Sequence, residues 1–139
     1  MAPVVVIQDV VWIRTMLEEC LSLEGYGVLP ANGGQEGLRL LQRLPCRAVV
    51  VLDVSMPPPN GRDLLLALNA APAWRARYVV ILYDAQHWLE WVSDLGADMS
   101  VEMAQGLDHL LEAVQRGQRM LASRPGDRRF DNLKFIHLL

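Results

Sequence analysis

A chain of 139 residues is about one domain long, enough to bury a core and too short for a second module of ordinary size. With 52% apolar and 21% charged residues it has a globular balance, which excludes disordered and fibrous classes. A net charge of −3 and a pI near 5.5 supply no basic field for gathering phosphate backbones, so no nucleic-acid partner is expected.

In chain order, Met1-Ala-Pro leads straight into Val4–Ile7, a β-branched run of the kind found in a parallel strand covered on both faces. That start is unlike a charged leader, and no apolar run approaches the roughly 20 residues of a membrane span, so a cytoplasmic, bacterial-type protein without a membrane partner is expected. Ile13, Met16, Leu17, Cys20, Leu21 and Leu23 then recur at helical spacing. The turn Gly25-Tyr26-Gly27 precedes a short strand at Val28-Leu29, and a second helix carries Leu38, Leu40, Leu41 and Leu44. A third strand over 48–52, a helix over 64–68, a fourth strand over 79–82 and a helix over 88–95 follow. Gly96 marks the turn into a fifth strand over 98–101, and a last helix over about 107–121 places Leu107, Leu110, Leu111, Val114 and Leu121 largely on one face. Arg124-Pro125-Gly126-Asp127 stops that helix. The division expected is one domain over 1–122 and a tail over 123–139, whose Phe130, Leu133, Phe135, Ile136, Leu138 and Leu139 can pack on this chain or on a partner.

Strand and helix alternate, and short right-handed crossovers turn that alternation into an α/β fold, a doubly wound five-stranded parallel sheet between helices. Ligand chemistry in such sheets gathers at the carboxyl ends of the strands, here Gln8-Asp9, Asp53, Tyr83-Asp84 and Glu102-Met103. Cys20 and Cys46 lack any CxxC or Cys/His spacing and are expected as small buried hydrophobes. His87, His109 and His137 show no ligand spacing and read as solvated or capping residues.

The run Leu52-Asp53-Val54-Ser55-Met56-Pro57-Pro58-Pro59-Asn60-Gly61 is an aspartate at a strand end, then methionine-proline, then glycine. With Ile13-Arg14, Glu24-Gly25-Tyr26 and Leu95-Gly96-Ala97-Asp98 in the same order, residues 4–121 resemble the receiver domains of two-component response regulators. The resemblance implies a flavodoxin-like (βα)5 topology with strand order 2-1-3-4-5. It also implies that Asp53 is the phosphoacceptor, attacking phosphorus while a divalent cation neutralises the oxygens of the transferring group.

The same resemblance places Gln8, Asp9, Asp53 and the carbonyl of Ser55 where the family holds Mg2+. Gln8 is an amide where the family has an acid, so binding should be weak or absent. Met103 stands at the position of the family's lysine and can neither donate a hydrogen bond nor carry charge. Among thirteen basic residues the only lysine is Lys134, in the tail. Tyr83 and Asp84 occupy the places of a small hydroxyl residue and a small neighbour, and Ser100 that of an aromatic rotamer switch.

Each of these positions has a plain reading beside the functional one. Asp53 is either a carboxylate hydrogen-bonded to nearby amides or a working phosphoacceptor, and Asp9 shares its fate as a ligand. Met103 reads as core filler. Tyr83 is a half-buried phenol or a plug on the acidic pocket; Asp84 is a helix cap or a replacement metal ligand. Trp88 and Trp91, three apart, cannot both be fully buried if their helix has one core face, so one sits at a surface, as an interface anchor or lying flat on its own domain.

The function expected is that of an atypical receiver, not an enzyme, acting in signal transduction through protein contacts with aspartyl phosphorylation impaired or absent. Its partners would be a histidine kinase or a downstream regulator, and a second copy joined through the face of the fourth helix, fifth strand and fifth helix. The alternative is a single-domain phosphoacceptor taking phosphate from a histidine kinase on Asp53. A flavin- or nucleotide-dependent enzyme lacks support, because no GxGxxG or GxxxxGK[ST] loop follows the first strand and no Ser/His/Asp or Cys/His grouping can be assembled.

Overall fold

The computed structural model describes residues 1–57, 59–70, 76–84 and 96–124. In order these form β1 (Val4–Ile7), α1 (Val11–Leu23), β2 (Val28–Ala31), α2 (Gly34–Arg43), β3 (Ala48–Asp53), α3 (Gly61–Ala70), β4 (Arg77–Tyr83), β5 (Met99–Glu102), a 3-10 turn (Met103–Gln105) and α4 (Leu107–Ser123). The five strands are parallel in the order β2-β1-β3-β4-β5, the topology expected. Among the described residues no helix is long and apolar enough to cross a membrane.

Alternation along the strands builds two apolar layers, because successive side chains point to opposite faces. Val5, Ile7, Val50, Leu52, Val79 and Ile81 pack with Leu41, Leu64, Leu65 and Leu68 of α2 and α3. Val4, Val6, Val49, Val51, Tyr78, Val80 and Leu82 pack with Leu17 and Leu21 of α1 and Leu110, Val114 and Leu121 of α4. Close approach of α4 depends on Gly117: a Cβ there would meet Tyr78 Cδ1 at 2.6 Å and Val49 Cγ2 at 3.1 Å.

The amino ends of the strands are fastened by arginines. Arg77, 5% exposed, donates to the carbonyls of Leu41 at 2.9 Å, Leu44 at 3.2 Å and Cys46, satisfying acceptors in and just beyond the last turn of α2. Burial pulls its guanidinium down to about 10, against the Cys46 thiol, which pushes it up. Arg47 donates to the carbonyls of Leu121 and Arg124 at the end of α4. Arg124 in turn donates to the Arg77 carbonyl at 2.9 Å, pairs with Asp98 at 3.1 Å and lies 5.8 Å from the centre of the Tyr78 ring.

The structure departs from the sequence reading in several places. β4 begins at Arg77, two residues before its apolar run, since the aliphatic stem of a buried arginine suits a strand once its head is bonded. β2 runs on through Pro30, which a strand at the sheet's edge tolerates. Leu23 is 88% exposed rather than on the helix's core face, because it lies two positions beyond buried Leu21 and so about 200° around α1. Cys20 is only half-buried, whereas Cys46 is buried as expected. The helix expected over 88–95, with Trp88 and Trp91, lies outside the described residues, as do His87, His137 and Lys134 and residues 125–139 of the tail.

Candidate functional site

The site forms where β1 and β3 end side by side, with Ile7 paired to Leu52 and Asp53 to Leu82. Parallel pairing brings the residue after β1 level with the last residue of β3, so Gln8 and Asp53 meet. Both are buried, Gln8 completely and Asp53 to 4% exposure.

A carboxylate this buried must be hydrogen-bonded. Asp53 Oδ1 accepts from the Ser55 backbone N–H at 2.8 Å and from the Ser55 hydroxyl at 2.6 Å, while Oδ2 accepts from Gln8 Nε2 at 2.6 Å. All three donors are neutral. The orientation of the Gln8 amide is set at its other end, where Oε1 accepts the Val10 N–H at 3.1 Å. The Gln8 backbone is held as well: its N–H donates to the Ala31 carbonyl at 3.1 Å, and its carbonyl accepts from the Arg14 guanidinium at 2.8 Å. Arg14 also lies 4.0 Å from Glu18 one turn along α1.

Asp9, next in sequence, is half-exposed and makes no hydrogen bond or ion pair among the described residues. It lines a cleft of about 640 Å³ with Asn32, Glu36, Arg39, Arg43 and Pro59. One wall of that cleft is the proline loop resting on the first turn of α2, a contact only glycine permits: a Cβ on Gly34 would stand 2.0 Å from the Pro59 carbonyl oxygen. After the loop, Asn60 and Asp63 cap α3 reciprocally, each side chain accepting from the other's N–H at 3.1 and 3.0 Å.

Tyr83 ends β4 half-buried against the layer under α2 and α3, with Asp84 directly after it. Met103 opens the 3-10 turn after β5 and packs against the layer under α1 and α4. Of the residues singled out from the sequence, the structure therefore joins Gln8, Asp53 and Ser55 by direct hydrogen bonds. Among the described residues no group of three or more His, Cys, Asp or Glu side chains is placed to share a metal ion. The sequence reading missed the bridging role of Gln8 and the part of Arg14. Its only signal was an amide beside Asp9 at a strand end.

No family model matches the chain. It is 31% identical over 121 residues to the transcriptional regulatory protein KdpE of Mycobacterium tuberculosis, covering 86% of this chain and 52% of that protein. It is 35% identical over 69 residues to the transcriptional regulatory protein CpxR of Escherichia coli, covering 50% of this chain and 29% of that one. The chain thus spans about half, or less, of the length of these curated relatives. Among solved structures it is similar to the Vibrio cholerae chemotaxis protein CheY4, with a TM-score of 0.72 and 26% identity over 84% of this chain and 98% of that one. It is equally similar to the response regulator TrrA of Thermotoga maritima, solved in complex with Mg2+-BeF, with a TM-score of 0.73, 26% identity and the same coverage.

Proposed function

As this chain is a receiver domain of the response-regulator family, we propose that it serves two-component signalling in the cytoplasm mainly through protein–protein contacts, with aspartyl phosphorylation at Asp53 impaired or absent. The observation that carries this reading is the Asp53 carboxylate, both of whose oxygens are taken by neutral donors of the protein itself. A transferred phosphoryl group spreads negative charge over three oxygens and needs positive compensation. Neutral amide and hydroxyl dipoles compensate less than a cation does. Met103, at the position where the family carries its lysine, is turned into the apolar layer under α1 and α4.

The donor set does not suit Mg2+ either. TrrA takes Mg2+ with beryllium fluoride, and magnesium asks for hard, anionic oxygens in an octahedron. Here Gln8 offers its NH2 toward Asp53, since its oxygen is engaged by Val10.

The partners on this reading are a histidine kinase or a downstream regulator, together with a second copy of the chain. β5 and the outer side of α4 would contribute to that dimer. Light scattering on the purified protein measures the assembly, and a strict monomer at micromolar concentration removes the homodimer.

The conventional phosphoacceptor keeps one supporting observation, the placing of an aspartate as the last residue of β3 beside the residue that follows β1. Incubation with acetyl phosphate and Mg2+, read by intact mass and peptide mapping, separates the two readings. Little or no label is expected; stoichiometric label on Asp53 would overturn the contact-only function.

A further inference from the structure

Resting on that reading of the site, we propose that the Gln8 side-chain amide is a built-in substitute for a divalent cation on Asp53, and that the same amide holds the start of α1 in one position whatever the cation concentration. Gln8 Nε2 takes Oδ2, the carboxylate oxygen that Ser55 leaves open. An ion seeking that oxygen must displace the amide. Rotating the amide to offer its oxygen instead turns its NH2 on the Val10 N–H, donor against donor, and loses the 3.1 Å bond there. Gln8 is fully buried, its backbone held at N–H and carbonyl and its amide at both ends, so no alternative rotamer is available without breaking both amide bonds at once.

The amide also connects the carboxylate to a surface. Val10 is the capping residue of α1, its carbonyl accepting the Arg14 N–H at 2.9 Å to begin the helix. Val11 and Trp12 in the turn it fixes are 64% and 68% exposed. Asp53, the Gln8 amide, the Val10 N–H and an exposed apolar turn therefore form one chain of contacts.

An acid at position 8 reverses the logic. Gln8→Glu keeps the length of the side chain but sets a second carboxylate against Asp53 and has no N–H to give. Repulsion between the two then favours a divalent ion between them. The variant is expected to be less stable than wild type in chelator and to regain stability in Mg2+. At a Mg2+ concentration about tenfold above its Kd, its folding constant should rise roughly elevenfold. Mn2+ should broaden the Val10 and Ser55 amide resonances in Gln8→Glu, and the wild-type protein should respond to neither ion. If the variant does not fold in chelator, refolding directly into Mg2+ or Mn2+ yields the same readouts.

Gln8→Ala removes the amide without adding charge. It should gain no cation response, and exchange of the Val10 amide hydrogen should quicken roughly tenfold, the loss of one hydrogen bond. Broadening of wild-type Val10 and Ser55 by Mn2+, or a Gln8→Glu protein indifferent to both ions, overturns the substitution of amide for cation. Unchanged exchange at Val10 in Gln8→Ala overturns the hold on α1. These failures differ from that of the proposed function, which falls when wild-type Asp53 is labelled by acetyl phosphate whatever the cation response.

Discussion

Replacing Arg77 by methionine should destabilise the domain by about 3 kcal/mol, and the figure follows from opposing effects. The guanidinium's three shortest charge-assisted hydrogen bonds go to the carbonyls of Leu41, Leu44 and Cys46; at roughly 1.5–3 kcal/mol each these contribute about 5–9 kcal/mol. Against them stands the cost of burying the charge: a fall from the usual arginine range to about 10 corresponds to roughly 3 kcal/mol favouring loss of the proton. Methionine fills much of the same volume and removes that cost, but it leaves acceptors around the end of α2 without their donor. The net loss of about 3 kcal/mol lies toward the lower end of the difference. For a chain of 139 residues it lowers Tm by about 10 °C, taking roughly 2 cal/mol/K of unfolding entropy per residue. Thermal and urea unfolding followed by circular dichroism measure it, and Arg77→Lys should fall between, since an ammonium lacks the planar fork. A methionine variant as stable as wild type would mean that these carbonyls find water or another donor, and the account of this arginine as the fastening of α2 would be refuted.

At the candidate site, Asp53→Asn should not be silent: its new NH2 would face the NH2 of Gln8, costing about 1–2 kcal/mol in urea unfolding, whereas Asp53→Ala strands the buried amide at a similar or larger cost. Gly117→Ala gains helix propensity of roughly 1 kcal/mol but drives a methyl to 2.6 Å from Tyr78, so a net loss of stability is expected, larger again for Gly117→Val. Asn60→Ala removes half of the reciprocal cap on α3 and should cost about 1 kcal/mol, read as a lower urea midpoint with unchanged slope. Asp98→Ala removes the acceptor of the Val79 N–H, bonded at 2.7 Å, and one of the partners of the Arg124 guanidinium; faster hydrogen exchange at Val79 and a drop of about 1–2 kcal/mol are expected.

The fold was legible because its signals are periodic. Unbroken runs such as Val4–Ile7 and the leucines of α4 state a buried strand and a one-faced helix without help from the rest of the chain. Asp53 was legible for a similar reason, as a single charge closing an apolar run and followed by proline and glycine. What the pattern could not yield was partnership across the fold. Gln8 registered only as the loss of an acid, since nothing local says that its amide reaches a residue 45 positions away and is oriented by its neighbour two positions on. Arg77 was hidden by its charge, which reads as surface until the carbonyls of Leu41, Leu44 and Cys46 are seen converging on it. Leu23 failed in the opposite sense, an apolar residue at a helix end where the angular position had already left the core.

The bracket made by Arg47, Arg77 and Arg124 fixes where anything attached beyond residue 124 begins. That departure point stands at the amino edge of the sheet, while Asp53 stands at the carboxyl edge. β3, six residues long, separates the two by about 17 Å of fully enclosed strand. Any coupling between the aspartate and that departure point has to cross this buried distance.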